Sequence, residues 1–569
     1  MLSRKKELFM AAPILCVLIA SATAEEPFTE QAVARGLTYT VDMNLDQFGS
    51  GIAFVDLDGD LDADLIVTGS ATGLVAVYEN DGTGNFIDRT ATAAIPASTG
   101  ISSVCAGDYD GDGDEDLHIT RTTGFTDLLY RNDGGFSFTD VSAAAGIDAD
   151  GSGFASCWGD YDGDGDLDIY VAYRTGHNDN WEENRLFRNN GDGTFTDVAL
   201  AVGAQRTGDP TLVASFFDYD NDGDADLYLG TDKGSGPDFI NHLLRNDGGT
   251  FTDVTAFSGT EANVDCMGIA YGDIDHNGFA DLFVTNTPPG DVLLMANGDG
   301  TFTDESAAAG VQLFNVGWGA MFFDYNNDTF EDLYVAQMNA NNALFSYNGS
   351  FPMTDVSAVM GVNEPGTSFC FASADIDLDG DLDLAVSTAM APLRLFINQE
   401  GDNRHWVRLK VKGKGSNTHA IGARAMLTNL GVTQRREVRA GMNYKSDNER
   451  LLHFGLGDGA INRVERIEVR WPNSSARRVL RGYIADHTWT VYHPSQLGDP
   501  DNSGTIDPDE IQQAVQIFLA HNGGDIDPGE EIFDFDGDCD VDWNDIASML
   551  AVYTSPGGNL NAGPGRIQP

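Results

Sequence analysis

Short apolar runs alternate with acidic turns along most of the chain. Each acidic cluster follows a run of apolar or small residues, such as 101–107 (ISSVCAG) or 319–323 (GAMFF). Each is followed by an alternating apolar stretch: LIV, LHI, LDIYV, LYL, LFV, LYV and LAV in turn. Alternation with period two marks a half-buried strand. Each cluster is therefore predicted to be a tight hairpin loop between two strands. A second echo follows within each repeat. LLYRNDGGFSFTDVSAAAGI (128–147) matches RLFRNNGDGTFTDVALAVGA (185–204), and 242–255, 292–311 and 343–362 repeat it. Asn, Asp and Gly at its centre predict another hairpin turn.

Four strands per repeat result. The acidic nonapeptides begin at Asp56, Asp108, Asp160, Asp218, Asp273, Asp324 and Asp375, with spacings of 52, 52, 58, 55, 51 and 51. A steady period of this size signals stacked or radial repeats. Seven four-stranded units predict a mainly β chain with a seven-bladed β-propeller over residues 25–401. The last repeat ends at 393–401 (LRLFINQEG) with no FTD segment after it, while an orphan copy, FTEQAVARGL, sits at 28–37. The N-terminal segment is expected to supply the strand missing from the last unit. That exchange removes a free sheet edge and favours a closed ring over an open array.

Beyond 401 the pattern changes. Residues 402–497 hold 17 bases and 8 acids, in strand-like runs such as WVRLKVKG, ARAMLTNL, QRREVRAG and RIEVRWP. They predict a small β domain, whose Arg-rich strands are candidates to dock on the acidic repeats. Residues 498–569 reverse the sign, with 15 acids and 1 base. Two helical runs, IQQAVQIFLAHN and DIASMLAVY, lie there, and 555–569 reads as a Gly/Pro-rich disordered tail.

The formal charge of -57 argues against nucleic acid or anionic lipid as partners, because phosphates attract Lys and Arg. The acids are instead concentrated in ordered loops, at positions 1, 3, 5 and 9 of each nonapeptide. These are Asp56, Asp58, Asp60 and Asp64 in loop one, and Asp108, Asp110, Asp112 and Asp116 in loop two. Loop three has Asp160, Asp162, Asp164 and Asp168, and loop four Asp218, Asp220, Asp222 and Asp226. Loop five has Asp273, Asp275, Asn277 and Asp281, loop six Asp324, Asn326, Asp328 and Asp332, and loop seven Asp375, Asp377, Asp379 and Asp383.

Calcium takes six to eight oxygens at about 2.3–2.6 Å, carboxylates and carbonyls together. A hairpin with this spacing can wrap one ion, with position 7 giving a backbone carbonyl. Phe279 and Phe330 at that position are then tolerated. Gly at position 4 or 6 lets the chain turn. Without a cation, carboxylates this close would repel and titrate upward. Loops five and six, with one Asn each, are expected to bind more weakly. Magnesium suits such flexible carboxylate cages less well.

The tail offers two more loops. Asp499, Asp501, Ser503, Thr505, Asp507 and Glu510 fill a 12-residue EF-hand pattern with Gly504 at the sharp turn. Asp534, Asp536, Asp538, Asp540, Asp542 and Asp545 outline a second, with Cys539 where Gly is usual and Asp545 where Glu is usual. Up to about nine Ca2+ sites are thus expected. Nine ions would bring the charge from -57 to -39.

The repeats resemble the calcium-loop repeats of integrin α-subunit propellers, the FG-GAP or VCBS family, over about residues 28–400. That resemblance implies a calcium-stabilised propeller and no particular ligand. Asn403-Arg404-His405-Trp406, IGAR (421–424), REVRAG (436–441), HFGLG (453–457) and RWPNS (470–474) resemble the ASPIC/UnbV domain, found after such repeats in cartilage acidic proteins. The stretch after RWP, Asn473-Ser474-Ser475, departs mildly from the family. The paired loops at 498–554 resemble EF-hand or dockerin-type modules, and Asp545 leans to the dockerin side.

Residues 1–24 read as a secretory signal, with Arg4, Lys5 and Lys6 before a short apolar core and Ala22-Thr23-Ala24 at the cut. The core is too short for a comfortable span of about 20 residues, so an exported protein without a membrane span is expected. Cys105, Cys157, Cys266 and Cys370 precede acidic clusters by odd offsets, which on a strand means one face. They and Cys539 read as buried thiols rather than a disulfide framework. The expected function is a binding, adhesion or scaffold module for a protein or glycan, with structural calcium. The rival readings are a polysaccharide-active enzyme and a part of a surface assembly held by its tail through a partner module. No GxSxG, HExxH or P-loop pattern supports catalysis. His405 and His453 lack metal-ligand spacing and read as structural.

Overall fold

The computed structural model describes residues 27–553 apart from 43–48, 123–124, 148–149, 152, 175–182, 207, 233–239, 289, 402–403, 500–505, 507 and 522–524. The expected signal at 1–24 and the tail at 555–569 lie outside the described residues. Among the described residues no helix is long and apolar enough to cross a membrane.

Each repeat is a four-stranded antiparallel sheet, and the third shows the plan. Gly153–Gly159 pairs with Asp168–Tyr173 across the acidic loop, then come Arg185–Asn189 and Phe195–Asp197. The inner two strands are wholly buried, in keeping with their near-continuous apolar character. After the FTD strand comes one turn of helix, Ser142–Ala145 or Ala199–Val202 for example, closed by a left-handed glycine. The FTD aspartate starts that turn: Asp140 Oδ1 accepts from Ser142 N at 3.0 Å.

Seven such sheets form, and the first strand of each packs on the first strand of the next, the seventh returning to the first. The last sheet takes its outer strand from the N-terminal segment. Thr29–Glu30 pairs with Arg394–Ile397, Thr29 opposite Ile397. The orphan FTE segment therefore does what its sequence predicts.

Apolar clusters fill the spaces between neighbouring sheets. Cys105, Cys157 and Cys370 each face the following sheet. Cys266 faces the preceding one, beside Val213 and Tyr228. The shared-face expectation fails there because Cys266 precedes its strand, Ile269–Gly272, and alternation holds only within a strand. All four, and Cys539, are buried free thiols.

The basic segment forms two small sheets. His405–Val411 lies between Leu452–Gly457 and His487–Val491, and Arg424–Asn429 lies between Val432–Glu437 and Arg466–Arg470. Leu409, Leu427, Phe454 and Trp489 belong to one buried cluster. That cluster also takes in Ile506, Ala514, Ile532, Cys539 and Met549 of the tail, whose helices are Pro508–His521 and Trp543–Tyr553. The tail is thus packed on the basic segment of its own chain.

A loop of the basic segment enters the middle of the seven sheets. Ser446–Asp447 runs parallel to Ile52–Val55 as an extra inner strand. Ile269 N donates to Asn443 O at 3.2 Å, and Trp158 N to Ala440 O at 3.2 Å. Tyr444 is buried among Phe154, Leu212, Met267, Trp318 and Phe369, drawn from five different repeats. The centre of the seven sheets is thus filled by the chain itself.

Candidate metal sites in the acidic loops

The loops share one backbone design. Positions 4 and 6 are left-handed in all seven, at Gly111 and Gly113 or Gly163 and Gly165 for example. Six of these positions lack glycine: Asn221 and Asn327 tolerate the left-handed region, whereas Leu61 (φ 82°), His276 (φ 62°), Thr329 (φ 89°) and Leu378 (φ 60°) do so less readily. An L-residue there is strained by roughly 1–2 kcal/mol, and a β-branched one such as Thr329 is a marked outlier. The loop fold is kept despite that strain.

Position 9 begins the second strand and clamps the hairpin. In loop two, Asp116 accepts from Tyr109 N at 3.0 Å and Asn132 N at 2.8 Å. Asp64, Asp168, Asp226, Asp281, Asp332 and Asp383 make the same two backbone contacts in their loops. Position 1 closes the turn: Asp108 accepts from Gly111 N at 2.8 Å and Gly113 N at 2.9 Å. Position 5 accepts from the amide two residues on, as Asp164 does from Asp166 N at 3.0 Å. In loops five and six Asn277 and Asp328 do the same toward Phe279 and Phe330.

In loops one to four, three carboxylates of each loop converge. Donor oxygens of Asp108, Asp110 and Asp116 lie within 4.8 Å of one another, as do those of Asp218, Asp220 and Asp226. Asp56, Asp58 and Asp60, and Asp160, Asp162 and Asp164, do likewise. Several of these oxygens are buried with no hydrogen-bond partner: Asp162 Oδ1, Asp218 Oδ1, Asp273 Oδ1 and Asp377 Oδ1. Burial pushes the carboxyls up, to about 9 for Asp64 and Asp116 and about 7 for Asp160, Asp218 and Asp273. Neighbouring carboxylates add to the rise at Asp160, Asp164 more than Asp162. Asp168, Asp226, Asp281, Asp332 and Asp383 are driven well above the carboxylate range by the same burial. Oxygen donors that are clustered, buried and partly unpartnered fit a hard divalent cation.

In loops four and six the position-7 side chain is engaged elsewhere. Asp224 Oδ2 accepts from Gly248 N at 2.8 Å, and Phe330 stacks on His276 with ring centres 4.7 Å apart.

The basic segment lies across this face. Arg408 meets Asp375 at 2.8 Å, Arg424 meets Asp218 at 3.0 Å and Lys410 meets Asp56 at 3.2 Å, each at a position-1 carboxylate. Thr418 donates to Asp108, and Asn473 Nδ2 donates to Asp160 O at 2.7 Å. Arg436 faces Glu331 at 3.5 Å, and Arg450 bridges Glu115 at 3.2 Å and Asp447 at 2.8 Å. His453 Nε2 lies 2.6 Å from Asn327 Oδ1 while its Nδ1 is buried without a partner, and His405 Nδ1 lies 2.7 Å from Asp486. Docking of the Arg-rich segment on the acidic loops, a bare candidate in the sequence, is thus a built interface.

In the tail, Asp534 accepts from Gly537 N at 2.7 Å, and Asp545 accepts from Phe535 N and Asp542 N at 2.7 Å each. Cys539 takes the left-handed turn at φ 71°, where Gly is usual. Asp540 Oδ1 is buried without a partner. Asp536 and Asp538 flank the turn, and burial lifts Asp536 to about 7. Of the first tail loop, Asp499 and Glu510 are buried, while Asp501, Ser503, Thr505 and Asp507 lie outside the described residues.

One set of residues escaped the sequence reading. Asn132 Nδ2 donates to Leu57 O at 2.9 Å in the preceding repeat, and Asn189 to Tyr109 O at 2.8 Å. Asn80, Asn246 and Asn398 make the same bridge, from one repeat to the loop of the one before. The Asn recurring before the second turn in five of the seven repeats was the available signal.

An FG-GAP-like repeat model matches residues 41–119, 160–229, 218–284 and 324–386, and an ASPIC and UnbV model matches 413–497. The chain carries FG-GAP repeats and an ASPIC/UnbV domain. It is distantly similar along most of its length to cartilage acidic protein 1. The Xenopus tropicalis protein is 26% identical over 511 residues, covering 81% of this chain and 76% of that protein. The human protein is 25% identical over 563 residues, covering 90% and 81%. Among solved structures, BBS1N in complex with ARL6DN covers 66% of this chain and 97% of its own at 12% identity and a TM-score of 0.41. The BP39L lectin from Burkholderia pseudomallei covers 63% and 97% at 11% identity and a TM-score of 0.40. These overlaps are too loose to fix an architecture.

Proposed function

We propose that this FG-GAP repeat protein is an exported seven-bladed β-propeller that acts as a binding, adhesion or scaffold module. Calcium in its blade loops is structural. The reading rests on one observation above all: convergent loops hold buried carboxylate oxygens that have no hydrogen-bond partner. A divalent ion in each loop would satisfy them and bind through positions 1, 3, 5 and 9. It would fix the hairpin tips on which the ASPIC/UnbV domain sits. The two tail loops are read as EF-hand or dockerin-like sites of the same kind. The similarity to cartilage acidic proteins supports an extracellular setting.

Elemental analysis of the purified chain tests this directly, together with its melting in calcium and in chelator. Several calcium ions per chain and a large melting shift are expected, since each filled site adds about 2.7 kcal/mol at a hundredfold excess over Kd. No bound calcium and an unchanged melt would refute it. A screen for glycan hydrolysis tests the module reading separately, because robust turnover of any substrate would overturn it.

With the centre filled by residues around Tyr444 and the acidic face covered by the basic domain, a ligand is left the outer rim and the opposite face.

A further inference from the structure

The tail holds a second kind of metal-ligand cluster, away from the acidic loops. His521 ends the helix Pro508–His521. Its Nε2 lies 2.9 Å from Glu530 Oε2 and 3.9 Å from Asp527 Oδ2, and the three donor atoms all lie within 4.8 Å of one another.

The two carboxylates are held together by the turn that carries them. Glu530 N donates to Asp527 O at 3.1 Å, and Asp527 N donates back to Glu530 Oε2 at 2.9 Å. Pro528 stiffens that turn, and Gly529 takes its left-handed corner at φ 99°. The last helical residue brings in the imidazole, and the C-terminal end of a helix favours a nearby cation. No Lys or Arg pairs with Asp527 or Glu530 among the described residues.

His242 makes an instructive contrast. It also faces two carboxylates, Asp209 at 3.2 Å and Asp253 at 3.3 Å, but Arg206 lies among them, 2.7 Å from Asp253, and already supplies the positive charge. At His521 that place is open.

We propose that His521, Asp527 and Glu530 form a site for a borderline divalent ion, with Zn2+ the best match. One imidazole nitrogen and two carboxylate oxygens are a zinc-type set that leaves a position for water. Calcium, which takes oxygen ligands, has little use for the imidazole. Bound metal staples the end of the first tail helix to the turn leading into the second tail loop.

The test uses the full chain saturated with Ca2+, so that the acidic loops are filled, and titrates Co2+ with its visible d–d absorption as readout. One Co2+ per chain, displaced by Zn2+, is expected. His521→Gln, which keeps a donor for Glu530, should weaken binding by at least about a hundredfold, the upper end of what loss of an outer-shell partner costs. Glu530→Gln should act in the same direction. Absence of the absorption bands, or bands unchanged in both variants, would overturn the proposal. Co2+ that excess Ca2+ displaces equally from wild type and variants would overturn it too, by placing the metal in the acidic loops.

Discussion

Arg408 carries the sharpest test of how the ASPIC/UnbV domain is held. Its guanidinium is 1% exposed and lies between Asp375, at 2.8 Å, and Glu449. Replacing it with Met keeps most of the apolar stem and leaves two buried carboxylates without their cation. Removing one partner of a buried pair costs about 3–5 kcal/mol. The cost should depend on pH. Burial already holds Glu449 at about 7, with Arg408 pulling the other way. Its folded value is above its unfolded one, so its burial costs stability increasingly as pH rises from the usual carboxylate range to about 7. Loss of Arg408 pushes that window higher. The R408M penalty should therefore be largest near pH 8 and shrink toward pH 5.5, where Glu449 protonates and is neutral. Urea unfolding in chelator, followed by Trp fluorescence at both pH values, reads this out. A penalty under about 1 kcal/mol at pH 8, or one equal at both pH values, would refute the buried-pair argument. Adding Glu449→Gln to R408M should recover part of the loss at pH 8.

Asn132→Ala leaves Leu57 O without its donor between two repeats, and should cost about 1–3 kcal/mol in the same urea assay. Leu61→Gly relieves a left-handed residue at φ 82° and should stabilise by about 1 kcal/mol; a destabilised variant would show that the Leu61 side chain does more than endure the turn. Lys445 is buried against Phe154 and donates to Ser102 at 2.5 Å, and burial lowers it to about 7. Its folded value lies below its unfolded one, so its penalty is complete below pH 7 and fades as pH rises toward 10.5. Lys445→Met should thus raise the melting temperature more at pH 6.5 than at pH 9.5, and equal gains at both would count against this reading.

The units of this protein were legible because they are local. Asp160 to Asp168 and the apolar runs around them lie within one hairpin, where period-two alternation and turn residues act over a few positions. Even the closing strand at Thr29–Glu30 could be read, since its motif was missing from the last repeat. The ranking of the loops was less complete. Counting acids separates loops five and six from the rest, but Lys410, Arg424 and Arg408 also divide loops one, four and seven from two and three. Lys410 and Arg424 come from about 200 or more residues away in the chain and Arg408 from 33, across a domain boundary, and no local pattern encodes where they land.

The sequence by itself determined the hairpins, their number, the spacing of carboxylates within each loop and the change of sign at 402. Tertiary structure alone decided that Tyr444 fills the middle of the seven sheets, that Asn132 and its four counterparts tie their repeats to the ones before, and that the tail packs on the basic domain. The physical reason is the range of the forces involved. Backbone geometry and turn chemistry act over neighbouring residues, whereas burial and charge pairing depend on which distant surfaces the folded chain brings together.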